Sequence, residues 1–179
     1  MEPCAMKTNM TLIGMPGAGK STIGIILAKN LSLGFIDTDI LIQINQQKSL
    51  QQIMDENDHL HLRAIEENEI LKLNVTHHVI ATGGSAAYSD KAMHHLLDIS
   101  TVIFLEVSFA EIERRIRNFA SRGIAKAAHQ SFRELYDERQ SLYNKYAEIT
   151  IRCDGFNQDE VACQIGDCFG TSRTFGKNR

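Results

Sequence analysis

Met10-Thr11-Leu12-Ile13-Gly14-Met15-Pro16-Gly17-Ala18-Gly19-Lys20-Ser21 is the stretch on which the fold turns. Met10 to Ile13 is a short apolar run ending in a glycine-rich turn, which suits a buried strand. From Lys20 to Leu31 the apolar residues Ile23, Ile26, Leu27 and Leu31 recur at helical spacing. Between strand and helix, Gly14 to Ser21 fits the pattern G-x-x-x-x-G-K-[ST]. In such a loop the backbone N–H groups turn inward around a phosphate, and the helix start adds positive potential. Lys20 is placed to reach the β- and γ-phosphates, and the Ser21 hydroxyl to coordinate Mg²⁺. A chain of this length meets the pattern by chance about once in 200 cases.

Outward from the loop, strand-like and helix-like segments alternate. Phe35–Ile36 reads as a second strand, stopped by Asp37-Thr38-Asp39, and helical pattern follows over Ile40–Ile44 and Leu60–Leu73. His78–Ala81 is a third strand running into Gly83-Gly84. Val102–Leu105 is the fourth, followed by a helix over Phe109–Arg117. Ser131–Tyr146 is a long amphipathic helix, Ile149–Arg152 a fifth strand, and Asp159–Phe169 a closing helix. Continuously apolar strands separated by helices imply a parallel sheet covered on both faces. Ligands of such sheets bind at the carboxyl ends of the strands, so the residues just after each strand are the functional candidates.

Composition bounds the rest. The 179 residues suit one domain, 1–179, and the net charge of -3 excludes the basic footprint of a general nucleic-acid binder. No run of about 18 apolar residues predicts a membrane span, and no secretory signal pattern opens the chain. Cys4, Cys153, Cys163 and Cys168 lack metal-type spacing and read as free thiols of a cytoplasmic protein. The near-neutral total hides an asymmetry. The first arginine is Arg63, and six of the ten fall between Arg114 and Arg139. Guanidinium groups suit carboxylate and phosphate, so a small anionic partner is expected.

Asp37 and Asp39 follow the second strand. Asp39 can cap the helix beginning near Ile40, while a pair at this spacing can also divide its work between a metal's water shell and an acceptor hydroxyl. Arg63 has Glu66 and Glu67 three and four residues on, and Arg139 has Asp137 and Glu138 beside it, so either can be an ordinary helix ion pair. Gly83-Gly84 fits a plain turn or the close approach of a ligand to backbone. The weakly periodic stretch 118–130 is a surface loop or a lid whose Arg122 closes over a transferring phosphoryl group. His77-His78 and His94-His95 point apart and are not expected to chelate.

In order along the chain, Gly-x-x-x-x-Gly-Lys-Ser, Asp-x-Asp, Arg-x-x-Glu, Gly-Gly, a loop arginine and Arg-x-x-x-Tyr resemble shikimate kinase from about Met10 to Arg152. The resemblance implies an α/β three-layer P-loop kinase fold with a five-stranded parallel sheet in the order 2-3-1-4-5. It implies transfer of the ATP γ-phosphate to a hydroxyl of shikimate with Mg²⁺, by a cytoplasmic monomer on the route to aromatic amino acids. By that resemblance Gly14, Gly17, Ala18, Gly19, Lys20, Ser21 and Thr22 hold the phosphates, and Arg115 stacks on adenine. Ser21 and Asp37 serve the metal. Asp39, Lys20 and Arg122 are the catalytic set. Arg63 and Arg139 grip the acceptor carboxylate, while Asp39, Gly83 and Gly84 complete its site. The chain departs from the family pattern at Asp58-His59, Leu62, Ser85 and the lid Arg122-Gly123-Ile124-Ala125. A kinase for gluconate or homoserine, and a non-catalytic nucleotide-binding module, are the other readings compatible with the phosphate loop.

Overall fold

The computed structural model describes residues 7–116 and 130–174. Arg122 and nearly all of the expected lid lie outside the described residues. Five strands, β1 (Asn9–Ile13), β2 (Gly34–Asp37), β3 (His78–Ala81), β4 (Ser100–Glu106) and β5 (Ile149–Arg152), form one parallel sheet in the order β2-β3-β1-β4-β5. The central strand pairs Thr11 with Ile80 of β3 and with Val102 of β4. All five residues of β1 are buried. Polar Asn9 and Thr11 are buried as fully as Met10, Leu12 and Ile13, because helices cover both faces. The Thr11 hydroxyl, deep in this layer, hydrogen-bonds that of Ser100 at 2.6 Å.

Eight helices surround the sheet among the described residues: α1 (Lys20–Leu31), α2 (Thr38–Gln46), α3 (Leu50–Glu56), α4 (His59–Leu71), α5 (Asp90–Ile99), α6 (Phe109–Arg115), α7 (Phe132–Tyr146) and α8 (Gln158–Thr174). Helix α1 packs on α8, and α5 on α4. The two helices that sequence periodicity did not announce have clear local causes. Helix α3 buries only Ile53, too little for a stripe, but Ser49 and Gln52 close a reciprocal capping box at its start. Helix α5 begins at a Ser89 cap and buries Ala92, Met93 and Leu96 beneath the exposed edge that carries His94. Helix α6 ends at Arg115, two residues earlier than expected.

A small second core of Ile42, Ile53 and Leu62 joins α2, α3 and α4. It stands apart from the main core and forms one wall of the cavity described next. Among the described residues no helix is long and apolar enough to cross a membrane, and no group of three His, Cys, Asp or Glu side chains is arranged to hold a metal ion.

Candidate active site

A cavity of about 630 Å³ opens over the carboxyl ends of β1, β2 and β3. Gly17, Gly19, Lys20, Ser21 and Thr22 line one end, and Asp39, Gly83, Gly84 and Arg139 the other. Gly14, Pro16 and Ala18 complete the loop between β1 and α1. Gly19 sits at φ 98° as the residue preceding α1, a conformation open to glycine and strained for other residues. No side chain caps this helix start, so its first N–H groups remain available to an anion. The Lys20 ammonium donates back to the Gly14 and Met15 carbonyls at 2.7 and 3.0 Å. Burial lowers its pKa to about 8, against the opposing pull of Asp39.

Beside the loop lies a second hollow of about 430 Å³, bordered by Gly17, Arg115, Phe156, Asn157 and Asp159. Arg115 borders both spaces. Its Nε donates to Glu111 at 2.7 Å, which fixes the guanidinium plane beside the phosphate loop. The Phe156–Asp159 stretch after β5 gave no motif, and only the fold brings it here.

The two aspartates make different contacts, and one expectation is corrected. Asp37, and not Asp39, caps α2: its Oδ1 accepts from the N–H groups of Asp39 and Ile40. Its Oδ2 accepts from the Ser21 hydroxyl at 2.5 Å, so Ser21 and Asp37 form an oxygen pair beside the phosphate loop. Relieved of capping, Asp39 turns its carboxylate into the cavity. Burial raises its pKa to about 6, although Lys20 opposes the shift.

Gly83 and Gly84 are required by what surrounds them. A Cβ on Gly83 would lie 2.3 Å from Glu66 Oε1 and 2.6 Å from Asp39 Oδ1. One on Gly84 would lie 2.7 Å from Pro16 and 2.8 Å from Arg139 Nη1. The turn is pinned from both sides. Gly83 N–H donates to the Thr38 hydroxyl at 3.0 Å, and the Tyr143 hydroxyl donates to the Gly84 carbonyl at 2.6 Å. This explains Arg-x-x-x-Tyr. Four residues apart on α7, Arg139 and Tyr143 share a face, one lining the cavity and the other anchoring its floor.

Glu66, the glutamate of Arg-x-x-Glu, was given no role of its own in the sequence reading, which treated it as a surface partner for Arg63. It is only 2% exposed. Ser85 donates to its Oε2, and Oε1 is buried without a hydrogen-bond partner among the described residues, close to Asp39 across Gly83. Burial, followed by the Asp39 charge, raises its pKa to about 7. The signal was present: Leu62, Glu66, Glu69 and Ile70 mark the buried stripe of α4, so a carboxylate stood where an apolar residue was due.

The arginines are placed differently from one another. Arg139 is 1% exposed and borders the main cavity. Arg63 borders an adjoining hollow of about 350 Å³, with Ser85 common to both spaces. The neighbouring carboxylates are engaged with other groups. Glu67 accepts from Ser89, Asp137 pairs with Arg133, and Glu138 accepts from Gln130. Instead the Arg63 guanidinium stacks over the Tyr88 ring at 3.5 Å, and that of Arg139 reaches the same ring at 5.5 Å. The departures from the family pattern also have places. Asp58 caps α4, Leu62 lines the cavity, and Ser85 holds Glu66.

Sheet order, phosphate loop and cavity together define a P-loop kinase. The shikimate kinase family model matches residues 16–169, and the chain belongs to that family. A shikimate kinase of Rhodococcus erythropolis is 38% identical over 166 residues, spanning 89% of this chain and 96% of that protein. The structure of shikimate kinase from Acinetobacter baumannii in complex with shikimate superposes with a TM-score of 0.85 at 26% identity, covering 95% and 98% of the two chains. Shikimate kinase from Aquifex aeolicus gives a TM-score of 0.79 at 25% identity, covering 92% and 98%.

Proposed function

We propose that this chain transfers the γ-phosphate of ATP to a hydroxyl of shikimate, giving ADP and shikimate 3-phosphate. The observation that carries the reading is one cavity joining the phosphate loop to Asp39, Arg139 and the bare backbone of Gly83-Gly84. Family membership and the shikimate-bound structural relative support the same acceptor.

In this reading the loop backbone from Gly14 to Thr22 and Lys20 hold the nucleotide phosphates, with Arg115 against the adenine. Asp39, held near pH 6, is largely ionised at neutral pH and takes the proton of the acceptor hydroxyl as its oxygen attacks the γ-phosphorus. The bond to the β,γ-bridging oxygen breaks and ADP leaves. Little covalent work falls to the protein: positioning and charge neutralisation carry the reaction. Arg139 and Arg63 hold the acceptor carboxylate, and Gly83-Gly84 lets the ring approach backbone. Ser21 and Asp37 offer hard oxygen atoms that fit Mg²⁺, Ser21 as a ligand and Asp37 through the ion's water shell. That ion, when bound, neutralises phosphate charge. Arg122, by the family resemblance, neutralises charge on the transferring phosphoryl group. The enzyme works as a cytoplasmic monomer, the buried thiol of Cys153 being in keeping with a reducing compartment.

Coupled ADP release with shikimate, gluconate, homoserine and nucleoside monophosphates tests the assignment. Saturable release with shikimate alone is expected. Release with another acceptor in its place, or with none, overturns it.

A further inference from the structure

We infer that Tyr88 is the positioning residue of the acceptor-carboxylate clamp, its ring holding the guanidinium of Arg63 within reach of that of Arg139. The inference rests on the acceptor reading above and deepens it.

Two like charges in a partly buried site repel, and each disfavours the charged form of the other. Arg63 is held below its ordinary range first by burial and then in part by Arg139. The carboxylates that helix spacing offers to Arg63 are engaged elsewhere: Glu66 with Ser85, and Glu67 with Ser89. Its Nε is buried and has no hydrogen-bond partner among the described residues. Glu138 of α7 adds a favourable charge, but the group Arg63 stacks on is the Tyr88 ring at 3.5 Å, and the same ring lies 5.5 Å from the Arg139 guanidinium. An aromatic face carries negative potential, so one ring can hold two cations close without discharging either. A carboxylate side chain there would neutralise the clamp. An aliphatic one would remove the surface on which Arg63 stacks.

The ring's mounting matters as much as its face. Tyr88 lies on a 3₁₀ turn, Ala86–Tyr88, directly after Gly83-Gly84-Ser85, and its N–H donates to the Ser85 carbonyl at 3.0 Å. Tyr143 anchors the same segment through the Gly84 carbonyl. The backbone proposed to meet the acceptor and the ring that spaces the clamp are therefore one short rigid piece.

The test uses Tyr88→Leu and Tyr88→Phe, each alone and with Arg63→Ala. Tyr88→Leu is expected to raise the KM for shikimate about tenfold, the loss of one partly desolvated cation–π contact. The KM for ATP and the melting temperature should move little. Tyr88→Phe keeps the aromatic face and should recover most of the loss. Because Tyr88 acts through Arg63, Tyr88→Leu should add less than about threefold once Arg63 is alanine. An unchanged shikimate KM in Tyr88→Leu, or an equal effect with and without Arg63, overturns the inference while leaving the acceptor assignment standing. If Arg63→Ala alone leaves the shikimate KM unchanged, the carboxylate assignment fails and the inference fails with it.

Discussion

Glu66→Gln should make the protein more stable at pH 8 and nearly indifferent at pH 4. The carboxyl is buried, one oxygen lacks a partner, and Asp39 lies across Gly83, so its pKa stands near 7 instead of 4.5. An acid whose pKa is raised on folding binds protons more tightly in the folded chain. Its contribution is fully present below pH 4.5 and is lost as pH rises through 7. At 1.36 kcal/mol per pH unit, that loss is about 3 kcal/mol. Glutamine preserves an acceptor for the Ser85 hydroxyl and removes the titration. Thermal unfolding followed by circular dichroism at several pH values checks this. In a chain of this size about 3 kcal/mol corresponds to roughly 6–12 °C, so Glu66→Gln should melt higher than wild type by about that much at pH 8 and by far less at pH 4. Parallel pH profiles for the two proteins would refute the reasoning, because they would mean that Glu66 titrates normally.

Four further outcomes follow from the cavity and the segment that floors it. The acid limb of kcat/KM should fall near pH 6, where Asp39 protonates, and the alkaline limb near pH 8, where free Lys20 loses its charge. Asp39→Asn should lower kcat by roughly 10²–10⁴ and abolish the acid limb, as initial rates across pH 5–9 will read. Gly83→Ala forces a methyl against two carboxylates, so acceptor binding measured by calorimetry should be lost while ATP binding persists. Tyr143→Phe removes the bond to the Gly84 carbonyl and should cost about 1 kcal/mol in a denaturant titration.

The sheet could be read from the chain because its strands are buried on both faces and its first turn is a phosphate loop. Val102–Leu105 needs no tertiary information to be a strand, and Gly19-Lys20-Ser21 needs little more to start a helix. What could not be read was set mostly by long-range contacts. Whether Asp37 or Asp39 caps α2 depends on where the helix begins, and it begins at Thr38, two residues before the apolar pattern starts. Glu66 looked like a helix ion pair because only the fold brings Ser85 and Gly83 over α4. Tyr88 carried no signal in sequence, since its meaning comes from two arginines on different helices. Arg139 was ambiguous for the opposite reason. Its acidic neighbours were plausible partners, but in the fold Asp137 pairs with Arg133 and Glu138 accepts from Gln130.

The most direct measurement is ³¹P NMR of a reaction containing the protein, ATP, Mg²⁺ and shikimate. A phosphomonoester resonance should grow in equal amount with ADP, and should be absent with Asp39→Asn. ADP accompanied only by inorganic phosphate would contradict the account.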